Sequence, residues 1–313
     1  MLRIIALAAL IAIPNGMSNI FDVLGWRKLL PKNVRGFFRL FTIHFSAEVI
    51  VRSLPGGVPI GDSVKAILLK KEFDVPSSSS FASVIWRRWF LGFTQSLYIF
   101  LGAALGFSYV YACSVKMTGN GDIAWSALAS GGILACILLS VFFIPAMKIG
   151  KVLLSLLLLI PFKKMRQWFA KKEEVFLELD KIILDIKNRS AREIAQTAAL
   201  YFVVWMWETI ETYIYLLALG YHAAFLQAFA IETIVSAMRL IMFFLPSGAG
   251  VQELGYAGLM VAFGLVGSPK DAASFLLLKR ARDIAGISIG YAILVKKGIK
   301  PSRKLVPEEI PES

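Results

Sequence analysis

The sequence predicts an all-α fold, a polytopic integral membrane bundle of helices. Of its 313 residues, 57% are hydrophobic, against roughly 45–50% in a soluble protein. The mean hydropathy is +0.68, and several apolar runs reach the ~20 residues that span a bilayer as a helix. This composition excludes a disordered chain and a small disulfide-stapled domain.

Five stretches are predicted to cross the membrane because each is mostly apolar and about 20 residues long. They are residues 1–21, 89–112, 125–146, 195–219 and 271–295. The first also resembles a signal peptide, since Arg3 precedes its apolar run. No small-residue cleavage site follows it, and Trp26-Arg27-Lys28 is typical of a membrane exit, so we predict a retained span.

Two further stretches differ from ordinary spans because they carry charges and a Gly/Pro break. Residues 37–62 break at 54–57, and residues 223–267 break at 245–250. A helix, a break and a second short helix are typical of a re-entrant hairpin. Such irregular backbone is tolerated at membrane depth only inside protein or beside a water-filled cavity. We therefore predict two broken or re-entrant helical hairpins.

The two breaks share a pattern that predicts an internal repeat. Each contains Leu-Pro-x-Gly with an acidic residue seven positions after the proline, Asp62 after Pro55 and Glu253 after Pro246. A basic cluster follows each break: Arg87-Arg88 after the first, and Lys279-Arg280-x-Arg282 after the second. Transporters are often built from repeats of inverted orientation whose broken helices meet near the midplane.

The charge distribution predicts the orientation of the chain. The net charge of +13 is carried by four stretches, 22–39, 62–88, 147–193 and 296–313, which are predicted to be cytoplasmic. The nearly uncharged links at 113–124 and 220–222 are predicted to lie outside. The two hairpins then enter from opposite sides, as an inverted repeat requires, and the C-terminus is cytoplasmic.

The domain prediction is one membrane domain over residues 1–295. Within it, residues 163–193 are polar, with apolar residues at helical spacing, which predicts an amphipathic cytoplasmic helix. Residues 296–313 are rich in proline and charge, which predicts a disordered cytoplasmic tail.

The motifs at the breaks resemble those of a known family. Residues 54–62 and residues 245–253 are similar to the two signatures of the lysylphosphatidylglycerol synthase transmembrane-region family. Residues 23–30, with their Trp-Arg pair, and Arg282 also resemble it, so the likeness covers roughly residues 20–295.

This resemblance implies a polytopic lipid flippase or lipid transporter in the cell (inner) membrane. In the multiple peptide resistance factor the corresponding region flips aminoacylated phosphatidylglycerol, and other relatives are associated with hopanoid transport. No stretch here could house the soluble aminoacyltransferase domain of the fused proteins, so synthase activity is not expected. Family members tend to have one more span before the Trp26 region, which implies a divergent or truncated start.

The candidate translocation site is built from arginines and break glycines. Glycines at a helix start leave N–H groups open to an anion such as a lipid phosphate, and arginine binds phosphate bidentately. The predicted lining comprises Arg52, Gly57, Asp62, Arg87, Arg88, Glu232, Arg239, Gly248, Gly250, Glu253, Arg280 and Arg282. The structural alternative is that the arginines pair with neighbouring acids, Arg52 with Glu48 and Arg280 with Asp283.

The acidic residues also have two interpretations. Asp62 and Glu253 either cap the helices after the breaks or meet a cationic headgroup. Glu208 and Glu211 lie three residues apart on one span. They either couple transport to protons or join helices by bonding basic and tryptophan partners.

Three functions follow from these patterns. The first is a lipid flippase whose partners are membrane lipids, with a homo-oligomer or a separate lipid-modifying synthase as further expected partners. The second is a proton- or sodium-coupled transporter of small solutes that uses Glu208, Glu211 and Glu232. The third, an enzyme acting on a lipid-linked substrate, is disfavoured because the sequence shows no nucleophile–base pair, metal-ligand cluster or nucleotide loop. No cofactor and no nucleic acid are expected.

Overall fold

The computed structural model describes residues 2–32, 34, 36–54, 57–140, 189–241 and 250–296. These ranges are helical and contain no strand, which confirms the all-α class. The helices are α1 (Leu2–Leu29), α2 (Phe37–Ser53), α3 (Gly57–Phe73), α4 (Ser77–Leu105), α5 (Phe107–Thr118), α6 (Asp122–Ser140), α7 (Ala191–Ala218), α8 (Phe225–Ile241), α9 (Val251–Ala262) and α10 (Ala273–Lys296), with a 3₁₀ turn at Pro269–Ala272. Most of the predicted amphipathic segment, the tail after Lys296 and the centre of the second break lie outside the described residues.

Long apolar helices are few in the part of the chain that the structure describes. Helix α6 is long and apolar enough to cross a membrane by itself. Helix α4 from Ser79 onwards is long and apolar enough only together with α5, and the two are bent by 84° at Gly106. The sequence predicts one continuous span over 89–112, and the structure differs because α5 turns away at this glycine. A Cβ on Gly106 would lie 2.8 Å from the Gly102 carbonyl oxygen, so the tight bend requires glycine.

Helix α1 is one continuous helix with Pro14 inside it. The tryptophan of the predicted membrane exit lies inside the bundle. Trp26 is fully buried, and its indole Nε1 donates to Ser83 Oγ at 3.1 Å. Arg27 and Lys28 are exposed at the end of the helix. Trp26 therefore joins α1 to α4, and only the two cations face outward.

In both predicted hairpins a helix precedes the predicted break and a second helix follows it, while residues 55–56 and 242–249 lie outside the described residues. In the first, α3 packs along α2. A Cβ on Gly57 would lie 2.5 Å from the Ile50 carbonyl oxygen, and one on Gly61 would lie 2.9 Å from that of Ala47. These glycines let the two legs meet backbone to backbone. In the second hairpin α8 packs on α9.

The stretch 62–88 is mostly helix, so its charge has a different meaning from that of a loop. Helices α3 and α4 occupy nearly all of it. Lys65 and Arg87 are buried inside the bundle, whereas Lys70 and Lys71 are exposed. The predicted orientation of this stretch therefore rests on the exposed lysines, because the buried cations are paired within the protein.

Two apolar cores surround the two hairpins. The first is formed mainly by α1, α2 and α3 around Trp26 and Leu40. The second is formed mainly by α7, α8, α9 and α10 around Tyr215 and Phe275. Helix α4 lies between them and contacts α3, α7 and α8. Each hairpin is thus anchored in its own core, and α4 connects the two.

Gly102 is where α4 approaches α8 most tightly, and its substitution gives a first prediction. A Cβ there would overlap the Thr233 side chain and lie 3.0 Å from the Phe229 ring. Gly102→Ala is therefore expected to destabilise the protein by about 1–3 kcal/mol through overpacking. SDS titration of the purified protein in mild detergent measures this change. The matched control is Gly258→Ala, where a Cβ has nothing within 4 Å; equal losses in both variants would contradict the close approach.

Candidate functional site

The first charged cluster is built around Arg87, which α4 places inside the bundle. Arg87 is only 1% exposed. The Arg87 Nε and Nη2 atoms each donate to the Asp22 carboxylate of α1 at 2.6 Å. Nη2 also donates to Glu48 Oε1 of α2 at 2.8 Å. The planar guanidinium thus holds three helices together through charge-assisted hydrogen bonds.

Lys65 brings α3 into the same cluster. Its Nζ lies 3.1 Å from Glu48 Oε1 and 3.2 Å from His44 Nδ1. The other His44 ring nitrogen, Nε2, lies 3.1 Å from Asn19 Oδ1. The Lys65 ammonium also lies 5.6 Å from the centre of the Trp26 ring, a cation–π distance. His44 is a hydrogen-bonded member of a polar network inside the apolar core.

Arg88 and Asp62 form the outer part of the first cluster. Arg88 Nε and Nη2 donate to the two Asp62 carboxylate oxygens at 2.5 and 3.0 Å. The capping role considered for Asp62 is wrong, because α3 begins at Gly57 and Asp62 lies beyond its first turn. Asp62 instead ties the second leg of the hairpin to α4.

The second cluster is built around Lys279 of α10. Its Nζ donates to Glu211 Oε1 of α7 at 3.0 Å and to Glu232 Oε1 of α8 at 3.1 Å. The ammonium also lies 5.3 Å from the Tyr256 ring centre, 5.6 Å from that of Tyr215 and 5.8 Å from that of Phe275. Two carboxylates and three aromatic rings therefore compensate one buried cation.

Glu232 is the most heavily bonded acid of the second cluster and is fully buried. It accepts hydrogen bonds from Thr212 Oγ1 and, at 2.6 Å, from Tyr256 Oη. Arg239 Nη2 lies 3.4 Å from Glu232 Oε2 and donates to Glu208 Oε2 at 2.5 Å. Arg239 thus links the acid of α8 to the acid of α7.

The start of α9 is tied to α10 by Glu253. Its carboxylate accepts from the Gly250 N–H at 2.8 Å, which confirms the capping role, and it also pairs with Arg280. Gly250 has a φ of 84°, a left-handed conformation that favours glycine. Arg282 Nη1 donates to Glu211 Oε1 at 2.8 Å. Arg280 also pairs with Asp283 at 3.4 Å, as the structural alternative predicts.

The two clusters connect helices in the same order along the chain. In each cluster, a buried cation lies in the helix that follows the hairpin. This cation bonds one acid from the helix that precedes the hairpin and one acid from the first helix of the hairpin. The next residue is an arginine bonded to the acid seven positions after the proline. The corresponding members are Asp22, Glu48, Asp62, Arg87 and Arg88 in the first, and Glu211, Glu232, Glu253, Lys279 and Arg280 in the second.

A polar cavity of about 280 Å³ lies against the first cluster and reaches the second. Its charged walls are three arginines and three acids: Arg52, Arg87, Arg88, Asp22, Glu48 and Glu208. Asn19, Gln95 and Trp205 add polar groups. The cavity is many times larger than the ~10–15 Å³ that a single water requires, enough for a small polar group.

The structure brings only part of the predicted lining to this cavity. Arg52, Arg87, Arg88 and Glu208 line it. Arg239 does not line the cavity itself, but it donates a hydrogen bond to Glu208, which does. The other described candidates are not among its lining residues, and Gly248 lies outside the described residues. Among the described residues, no group of three or more His, Cys, Asp or Glu side chains is placed to hold a metal ion.

Three charged members of the first cluster were not in the predicted lining. Asp22, Glu48 and Lys65 are the acids and the cation that complete the pairing around Arg87. A signal for them exists in the sequence, because each of these charged residues has an apolar residue directly before it and directly after it. Such a position predicts a buried charge, and a buried charge requires a partner. Glu48 bonds Arg87 and Lys65, and these cations come from α4 and α3.

Comparison with known proteins identifies one similarity. The family model described as the lysylphosphatidylglycerol synthase TM region matches residues 1–289, which covers both hairpins and both charged clusters. No curated protein and no solved structure matches the chain.

Proposed function

This chain belongs to the lysylphosphatidylglycerol synthase transmembrane-region family, and from that premise we propose that it is a membrane lipid flippase. The family makes it a membrane protein with a helical fold. The proposed reaction is the passage of a polar lipid headgroup through the cavity beside Arg52, with no covalent change to the lipid. The protein is thus proposed to be a transporter and not an enzyme.

The polar cavity is the observation that carries this proposal. Ionisable side chains inside a membrane bundle are costly and usually mark a transport pathway. Here Arg52 and Arg88 offer donors to a phosphate, and Glu48 and Glu208 offer acceptors to an amine. The wall has equal numbers of acids and arginines, which suits a zwitterionic headgroup as well as an anionic one.

The matching order of the two charged clusters supports an internal repeat, which we propose to be inverted. Both clusters couple a broken helical hairpin to the long helix that follows it. Transporters of inverted-repeat construction move one repeat against the other around a fixed site. In this proposal α4 and α7, which contribute Arg88 and Glu208 to the cavity walls, lie between the moving parts.

The acids of α7 favour a structural role in this transporter. Glu208 accepts from Arg239, and Glu211 accepts from both Lys279 and Arg282. These bonds connect α7 to α8 and α10, which matches the helix-joining interpretation. Proton coupling through Glu208 and Glu211 stays a prediction without a supporting contact.

Arg52→Ala provides the functional test. The purified protein is reconstituted into vesicles of phosphatidylglycerol and phosphatidylethanolamine that contain a trace of fluorescent lipid. Chemical quenching of the outer leaflet then measures lipid movement. Because a hydrogen bond to a charged group contributes about 1.5–3 kcal/mol, losing Arg52 is expected to slow flipping by about tenfold or more.

Arg39→Ala is the matched control, since Arg39 lies on the same helix and is exposed outside the cavity. It is expected to keep the parent rate. A parent protein that moves no lipid, whatever its headgroup, but takes up a water-soluble solute in a proton- or sodium-dependent manner would overturn the proposal in favour of solute transport. Equal rates for Arg52→Ala and the parent would remove Arg52 from the pathway.

A further inference from the structure

An apolar groove lies between α1, α2 and α10, beside the polar cavity. Its volume is about 440 Å³, and its lining includes Phe41, Phe45, Gly286 and Ile289, with Asn15 as its one polar side chain. The Phe41 and Phe45 rings are stacked on each other, with centres 5.7 Å apart and planes inclined by 16°, so one wall is aromatic.

A third and much smaller space, here called the neck, lies between the groove and the polar cavity. It encloses only about 10 Å³, close to the ~10–15 Å³ that a single water requires. The neck shares Arg52 and Glu48 with the polar cavity, and it shares Phe45 and Gly286 with the groove. The surfaces therefore follow one another in the order charged chamber, constriction and apolar groove.

Gly286 is the residue that keeps the neck from being blocked. It is buried in α10, and a Cβ added to it would lie 3.0 Å from Asn15 Nδ2 and 3.8 Å from Arg52 Nη1. Any longer side chain at this position would enter the space between the groove and the arginine. The glycine thus leaves this small space between the two neighbouring cavities unfilled.

We propose that the groove holds an acyl chain of the transported lipid while the phosphate of the same lipid is bound beside Arg52. The proposal rests on the flippase function and adds where the lipid tail lies and which helices form its lateral access. The adjacency of the three spaces, which share Arg52 and Gly286 as lining residues, carries it. A charged chamber beside an apolar groove fits an amphiphile with its headgroup at one end. Contact of bulk lipid with the outer surface of the protein is not expected to depend on Arg52.

Photo-crosslinking distinguishes this lipid from bulk lipid. Benzoylphenylalanine is placed at Ile289 in the groove, or at Leu277, an exposed apolar residue of the same helix. The protein is reconstituted into phosphatidylglycerol and phosphatidylethanolamine vesicles, and crosslinked phospholipid is measured by mass spectrometry. With Arg52→Ala, the yield is expected to fall about threefold or more at Ile289, since the lipid loses its charge-assisted bond, and to stay constant at Leu277.

Gly286→Leu gives an independent arm. Leucine in the neck is expected to lower the flipping rate about tenfold or more by steric exclusion, whereas Gly258→Leu, on an open surface, keeps the parent rate. Equal changes at Ile289 and Leu277, a crosslink to a second copy or to another segment of the chain, or an unchanged rate for Gly286→Leu would overturn the inference. A parent protein that moves no lipid would instead refute the flippase function, and the crosslinks would still report on the groove.

Discussion

Replacing Arg87 by leucine is expected to lower the free energy of unfolding by about 3–5 kcal/mol. Arg87 is almost fully buried and donates three hydrogen bonds to the carboxylates of Asp22 and Glu48. Without the guanidinium, two charges from α1 and α2 face each other, and Lys65 and Arg88 remain near Glu48 at 3.1 and 4.0 Å. Removing one partner of a buried ionic network costs far more than the network itself contributes, because the other charges stay desolvated.

SDS titration in mild detergent measures this loss, and Arg88→Leu is the matched control on the same helix. The Arg88 side chain is 30% exposed, so water solvates Asp62 when the arginine is removed. We expect a loss of about 1 kcal/mol there. Combining Arg87→Leu with Asp22→Asn and Glu48→Gln is expected to recover part of the stability, because neutral amides cost less to bury. Equal losses for the Arg87 and Arg88 variants would contradict the buried network.

Replacing Glu232 by leucine is expected to destabilise the protein by a similar amount, about 3–5 kcal/mol. This acid accepts hydrogen bonds from Thr212, Tyr256 and Lys279, and Arg239 lies 3.4 Å away. The substitution therefore leaves four donors on four different helices without this acceptor. Two of them are cations.

Glu232→Gln separates the charge from the shape. The amide oxygen can still accept hydrogen bonds from Tyr256 and Lys279. The free energy of unfolding of this variant is therefore expected to lie between that of the parent and that of the leucine variant. Adding Lys279→Met to Glu232→Leu is expected to destabilise by less than the sum of the single losses, because the cation no longer lacks its partner. Strict additivity in SDS titrations of these variants would contradict a direct bond between the two residues.

The helices and the two hairpin breaks are predictable from local sequence. Proline and glycine together at 54–57 and at 245–250 interrupt apolar runs, and this chemistry acts over a few residues. The 84° bend at Gly106 is a different case. Glycines also occur in unbent membrane helices, so the local sequence does not predict a bend at Gly106. In the structure this glycine also lies close to α8, since a Cβ on it would lie 3.2 Å from the Ala230 Cβ.

The candidate site is predictable in its motifs and less so in its pairing. The acid seven positions after each proline, and the basic residues that follow, are visible in the sequence. Their bonds from Asp62 to Arg88 and from Glu253 to Arg280 connect residues 26 and 27 positions apart. Local rules for helical spacing instead favour partners three or four residues away, such as Arg52 for Glu48. They do not predict the bonds that Glu48 accepts from Arg87 and Lys65, which lie 39 and 17 positions away.

By itself the sequence determines that this protein is a helical membrane protein of a lipid-associated family, where its hairpins break and which residues carry charge. These properties depend on composition, on local backbone chemistry and on motifs. Tertiary structure alone decides which charges neutralise one another, since Arg87 and Asp22 are 65 positions apart. It also decides that a polar cavity, a narrow neck and an apolar groove follow one another along α2. A cavity is the space that packed helices leave unfilled, so its position depends on how distant segments fit together.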